Sequence, residues 1–264
     1  DAAKHMDPAD LKGILALTNK SLYNFQEVIA AYGEAMQSPM YYDTGDVTEF
    51  GFAADLAPKF IKNGQLRDDL EHFGEDWGLM PTSKAVVFLD NHDSQRNGMA
   101  PLTYKSGDLY TLANIFMLAY PYGYPRVMSS YFFDDAEAGP PKQPVHGPGG
   151  MVRCGAGQGW VCEHRRSAIA NMVRWRQEAD NLPLTSWIST GEGLAFCRGS
   201  AACVAINRNQ TQTWEVELQA GMVAGDYCDV IASDAATDCP RATVAGSGRV
   251  TLRVPPMGAG AIHA

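Results

Sequence analysis

The apolar run Val86-Val87-Phe88-Leu89 ends abruptly in Asp90-Asn91-His92-Asp93, and Arg96 follows three positions later. Packing alone gives no reason to gather two carboxylates, an imidazole and a guanidinium there, so the cluster points to chemistry. The plainer alternative is a hydrated strand exit, since Asp and Asn favour turns. Two more carboxylates stand as candidates beside Asp93: Glu27, which follows an expected strand, and Asp1. Cleaving an acetal at neutral pH needs an acid on the leaving oxygen and a carboxylate at the anomeric carbon. Two carboxyls about 5 Å apart give net retention through a glycosyl-enzyme intermediate. Taken singly, Glu27 also reads as a strand-end surface charge and Asp1 as an unstructured terminus.

A continuous apolar run is the pattern of a parallel strand covered by helices on both faces. At the mouth of a β/α barrel, the polar residues ending such a strand belong to the active-site face. Strands are expected at Ser21–Phe25, Asp46–Phe50, Ala85–Leu89 and Arg126–Ser130. Between them fall helices: one started by Asp7-Pro8, one over Ala54–Lys62, and one capped by Ser106 with Leu109, Leu112, Ile115, Phe116 and Leu118 on its apolar face. A Gly/Pro-rich loop spans Phe132–Gly150. A last helix, Val161–Ala179, shows Ile169, Met172, Val173 and Arg176 on one side. This alternation means parallel βαβ units, about half of a (β/α)8 barrel. After Pro183 the period changes to two, at Trp187–Asn209, Thr213–Leu218, Tyr227–Ile231 and Val250–Val254, which reads as a small antiparallel β-sandwich. The expected fold is therefore α/β, with residues 1–184 as the second half of a TIM barrel and 185–264 as a C-terminal β-sandwich domain.

The net charge of -9 argues against nucleic acid or an anionic membrane as partner, because phosphate binding needs clustered Lys and Arg. No apolar run approaches the ~20 residues needed to span a bilayer. Six cysteines fall as Cys154 with Cys162, Cys197 with Cys203, and Cys228 with Cys239. Nearest-neighbour disulfides are the simplest pairing, each across a plausible turn. Zinc ligation, for which no CxxC spacing exists, and free buried thiols stay open. Disulfides would imply an oxidising, extracellular compartment.

Several stretches, in order, resemble the conserved regions of the α-amylase family in its chloride-dependent, animal-type branch. Val86–Arg96 resembles the fourth such region, Asp1-Ala2-Ala3-Lys4-His5-Met6 the nucleophile region, and Phe25-Gln26-Glu27-Val28-Ile29 the general-acid region. Pro121–Ser130 resembles the last barrel strand and its approach, and Trp160–Arg165 and Gly225–Val230 also match. The resemblance covers nearly the whole chain. It implies retaining endo-hydrolysis of α-1,4-glucosidic bonds in starch, glycogen and maltooligosaccharides by a secreted, monomeric enzyme. A transglycosylase of the same superfamily and a non-catalytic, amylase-like binding protein are the alternatives.

By the same resemblance Asp1 is the nucleophile, Glu27 the general acid/base and Asp93 the third acid, which holds sugar hydroxyls. Glu27 must keep its proton, so like-charge neighbours and partial burial are expected to favour its neutral form. His92 would bond substrate hydroxyls, and Lys4, His5 and Glu34 would line the substrate cleft. The His5 carbonyl would ligate a structural calcium ion, which prefers oxygen. Asn91 and Arg126 would hold an activating chloride ion beside the acid; a buried Arg126 paired with a carboxylate is the alternative. One departure is Asn97-Gly98-Met99-Ala100-Pro101-Leu102, which stands where the family has a glycine-rich loop with a histidine. The interval between Asp1 and Glu27 is also short. No signal peptide is visible, and the resemblance places this stretch in the C-terminal part of a longer protein. The earlier barrel strands and the remaining ion ligands would precede it, so this stretch alone is expected to be inactive.

Overall fold

The computed structural model describes residues 1–18, 22–31, 33–235 and 238–264. The chain divides into two compact units: residues 1–52, 72–88 and 122–126 form the first, and residues 53–71, 89–121 and 127–264 the second.

The first unit holds a four-stranded parallel sheet, β1 (Phe25–Gln26), β2 (Asp46–Glu49), β3 (Ala85–Val87) and β4 (Tyr124–Pro125), in that spatial order. This is the barrel half expected from the alternation. Every β3 side chain is buried, as its unbroken apolar sequence requires. The sheet is open, with β1 and β4 as its edges, and aromatic rings gather there. Tyr23 stacks on Phe25 and its ring lies 4.9 Å from that of Tyr124, and all three remain exposed.

Helix α1 (Pro8–Ala16) begins as expected, because Asp7 accepts the Ala9 N–H at 2.8 Å. The other boundaries move, each for a local reason. The first strand is Phe25–Gln26, and Ser21 lies outside the described residues. Helix α2 (Phe50–Ile61) starts four residues early because the Glu49 carboxylate accepts the Gly51 N–H at 2.8 Å, a side-chain cap. The fourth strand is Tyr124–Pro125, not Arg126–Ser130. Gly123, at φ +65°, comes so close to β3 that an added Cβ would lie 2.6 Å from Val87 and 2.9 Å from the Ala85 carbonyl. That contact sets the pairing upstream. After a last bond from Arg126 N–H to the Val87 carbonyl, the chain leaves the sheet.

In the second unit, Ser106 closes a capping box on the turn Tyr104–Ser106 instead of capping the next helix, α4 (Asp108–Ala119). The short α3 (Ser94–Asn97) precedes it, and α5 spans Ser167–Ala179. α5 starts later than its sequence suggests, since Cys162 adopts a left-handed conformation and a 3-10 turn, Glu163–Arg165, intervenes. Its buried stripe is Ile169, Met172, Trp175 and Ala179, while Val173 is exposed.

Eight antiparallel strands follow in two four-stranded sheets. One has the order β12-β7-β6-β5: Gly258–His263, Ala202–Asn207, Gly193–Arg198 and Leu184–Ser189. The other has the order β8-β11-β10-β9: Trp214–Gln219, Arg249–Val254, Arg241–Val244 and Gly225–Cys228. Their facing side chains, among them Val216, Leu218, Val250 and Leu252, form one core. β8 and β11 alternate buried and exposed, as period two demands. β6 and β7 do not: all their residues are buried, because α4 and α5 pack against the outer face of this sheet. Trp175 seals that contact by donating its indole N–H to the carbonyls of Ile262 (2.9 Å) and Cys203 (3.2 Å). Disulfides join Cys154–Cys162, Cys197–Cys203 and Cys228–Cys239, leaving no free thiol. Cys197 and Cys203 are directly opposite across the β6–β7 hairpin.

Candidate active site

In the first unit Asp1 is exposed, and the following 3-10 turn Ala3–His5 is anchored by buried Ala3. Lys4 reaches from this turn to the segment after β1. Its Nζ donates to the Ile29 carbonyl at 2.6 Å and pairs with Glu34 at 3.0 Å. That ammonium holds the Glu34 carboxyl below its ordinary range, by hydrogen bonding and by charge. Glu27 is partly buried and directly follows β1. Its backbone is located by Gln26, a buried polar residue not recognised from the sequence. Gln26 donates to the Tyr41 carbonyl at 3.3 Å and accepts the Thr44 hydroxyl at 2.8 Å, while its carbonyl accepts the Thr48 hydroxyl at 3.3 Å. A glutamine at a strand end with two threonines across the neighbouring turn was the available signal.

Arg126 is exposed. It follows an edge strand of an open sheet, and its guanidinium lies 4.4 Å over the exposed Phe25 ring, a cation–π arrangement.

In the second unit the residues after β3 form a tight turn. The Asn91 side-chain oxygen accepts the N–H groups of Asp93 (3.1 Å) and Ser94 (2.7 Å), and Asn91 N–H donates to the Ser94 hydroxyl at 2.8 Å. These bonds hold His92 and Asp93 outward; both are exposed, and His92 Nε2 is 3.5 Å from Asp93 Oδ1. They line a cavity of about 250 Å³ with Arg96, Ser129, Tyr131 and Phe133. Arg96 donates to the Ala138 carbonyl at 3.1 Å and to the Tyr131 hydroxyl, with its guanidinium 4.6 Å over the Phe133 ring. Where the family has its glycine-rich loop, α3 ends on Gly98 at φ +79°, and Arg96 secures the 131–138 segment instead.

Ion sites can be tested against these donors. An anion needs N–H groups. With its oxygen committed to the turn, the Asn91 amide has its NH2 group left to offer, and the Arg126 guanidinium carries N–H donors, so each side chain by itself is of a kind that chloride takes. Calcium takes six to eight oxygens, and the His5 carbonyl is one. The remaining oxygens of such a site are not identified among the described residues.

A four-stranded parallel barrel segment running into an antiparallel β-sandwich, with acidic residues after its strands, defines the class: (β/α)8-barrel proteins with an appended β domain. Comparison with known proteins narrows it. Residues 187–264 match the family described as Alpha amylase, C-terminal all-beta domain. The chain is 41% identical over 265 residues to an alpha-amylase of Streptomyces violaceus, covering 100% of this chain and 44% of that protein. It is 40% identical over 265 residues to human Alpha-amylase 1B, covering 89% of this chain and 51% of that one. A crystal structure of a mutant alpha-amylase I from Eisenia fetida in complex with maltohexaose superposes with a TM-score of 0.87 at 34% identity, covering 100% of this chain and 60% of that one. The chain belongs to the α-amylase family, and it spans about half the length of the curated relatives it matches.

Proposed function

We propose that the whole protein hydrolyses internal α-1,4-glucosidic bonds of starch, glycogen and maltooligosaccharides with retention of configuration. The observation that carries this reading is the unbroken set of three acids, Asp1, Glu27 and Asp93, in a chain alignable over its full length with an alpha-amylase. Non-catalytic relatives would be expected to have lost one of them. The maltohexaose bound to the related Eisenia fetida protein supports an α-glucan substrate.

In this mechanism Asp1 attacks the anomeric carbon while Glu27 gives its proton to the departing glycosidic oxygen. Glu27 then takes a proton from water, which displaces the Asp1 ester. Asp93 and His92 hold the sugar hydroxyls and favour the distorted, positively charged transition state. Lys4 and Glu34, joined in one ion pair, line the leaving-group side, with His5 beside them. Chloride held by Asn91 and Arg126 would supply a fixed negative charge that helps Glu27 retain its proton. Calcium at the His5 carbonyl would be structural, and no step passes through it. Three disulfides suit a secreted protein.

Glu27→Gln in the complete enzyme is the test. Loss of a general acid is expected to lower kcat about 10²- to 10⁴-fold. Unchanged cleavage of soluble starch would refute the assignment.

A further inference from the structure

Beneath the Asn91 turn lies a group that the proposed mechanism does not use. Asp90 is 2% exposed. Its Oδ1 accepts the Tyr110 hydroxyl at 2.7 Å, and its Oδ2 has no partner among the described residues. A second buried carboxylate, Glu163, stands in the same core and accepts the N–H of Ser130 at 2.8 Å as well as its hydroxyl. The groups acting on Asp90 are Tyr110 from α4 and Glu163 from the turn after Cys162; no Lys, Arg or His is among them. The surroundings are also short of donors. Asn114 gives its NH2 to the Tyr110 carbonyl at 2.8 Å, leaving its own buried oxygen without a partner. A proton on Asp90 turns one surplus acceptor into a donor.

We propose that Asp90 is a positioning residue that works as a neutral carboxylic acid, keeping the Asn91–Arg96 turn in place beneath His92 and Asp93. A buried carboxylate with no cation takes up a proton rather than remain charged in a low dielectric. Burial, reinforced by the charge of Glu163 and opposed by the Tyr110 bond, pushes this carboxyl up to about 7. When Asp90 ionises, the turn that follows it must open to admit water. The link to turnover rests on the amylase reading, whereas the protonation state does not.

The primary test therefore needs no substrate. In the full 264-residue chain, NMR of the ¹³C-labelled Asp90 carboxyl should show a midpoint near 7. Amide exchange at Asp93 and Ser94 should accelerate by up to about tenfold per pH unit between pH ~4 and that midpoint, beyond the intrinsic base dependence, and lose this extra slope above it. Asp90→Asn, which is neutral and of similar shape, should abolish the extra acceleration. A carboxyl titrating near 4, or wild type and Asp90→Asn exchanging alike at every pH, would overturn the proposal. The wild-type titration decides the matter even if the variant fails to fold. In the complete enzyme, Asp90→Asn should keep kcat at pH 6 and move the alkaline limb of the kcat profile upward. An unmoved limb in an active enzyme would refute the positioning role. A complete enzyme without amylase activity would instead refute the proposed function, leaving the carboxyl titration to decide Asp90.

Discussion

Replacing Arg198 by Met should be among the most damaging single changes in the second unit. Arg198 ends β6, is 2% exposed, and its guanidinium bonds only backbone carbonyls: Leu182 at 2.7 Å from Nε, Ala119 at 2.9 Å from Nη1, and Asp180 at 2.7 Å from Nη2. Ala119 is the last residue of α4, whose final carbonyls have no partner within the helix. Burial lowers the guanidinium to about 10, so it is charged at neutral pH. Met fills similar space but donates nothing, leaving three carbonyls unsatisfied at about 1–3 kcal/mol each. Relief of several kcal/mol of cation desolvation offsets part of this, and the net loss is about 3 kcal/mol. At roughly 2–4 °C per kcal/mol for a chain of this size, thermal unfolding followed by circular dichroism should occur about 6–12 °C lower. Arg198→Lys should recover less than half of the loss, because one compact ammonium cannot span three carbonyls. A Met variant melting within about 2 °C of wild type would show that these carbonyls find other donors, and the reasoning would fail.

Trp175→Phe removes the indole N–H that serves the Ile262 and Cys203 carbonyls; urea unfolding should show a loss of about 1–3 kcal/mol, and no loss would mean that the contact is purely apolar. Gly123→Ala places a methyl against Val87 and the Ala85 carbonyl in a left-handed backbone, so it should cost about 1–3 kcal/mol; an unchanged urea midpoint would contradict the close approach that sets β4. For Asp90 the sign follows from a carboxyl raised from 3.8 to about 7 on folding. Its stabilising contribution is complete below pH ~4 and lost as pH rises to 7. Asp90→Asn should therefore be more stable than wild type by up to about 4 kcal/mol above pH 7, with the difference shrinking toward pH 4. Stability curves that run parallel across that range would count against a buried acid.

The sequence alone determined most of the element types and marked the polar residues that follow β3. The apolar Ala85–Leu89 run announces β3, Asp7-Pro8 starts α1, and the alternation in Trp214–Gln219 and Arg249–Val254 announces half-buried strands. All of these are local patterns of period, cap and turn, which the chain carries wherever it is placed. The strand at Gly258–His263 was not legible, because small residues under α4 and α5 show no alternation. Nor was the end of the fourth strand, set by how closely Gly123 meets β3. The exposure of Arg126, the anchoring of Glu27 through Gln26, and the carbonyl clamp of Arg198 were equally hidden. The neutral state of Asp90 is the sharpest case. Its sequence neighbours mark a polar loop, and only the closing of α4 and of the turn after Cys162 over it strips away the water that would have kept it charged. Burial depends on elements distant in the chain, so the fate of a polar group is decided in three dimensions, even where its presence is plain in one.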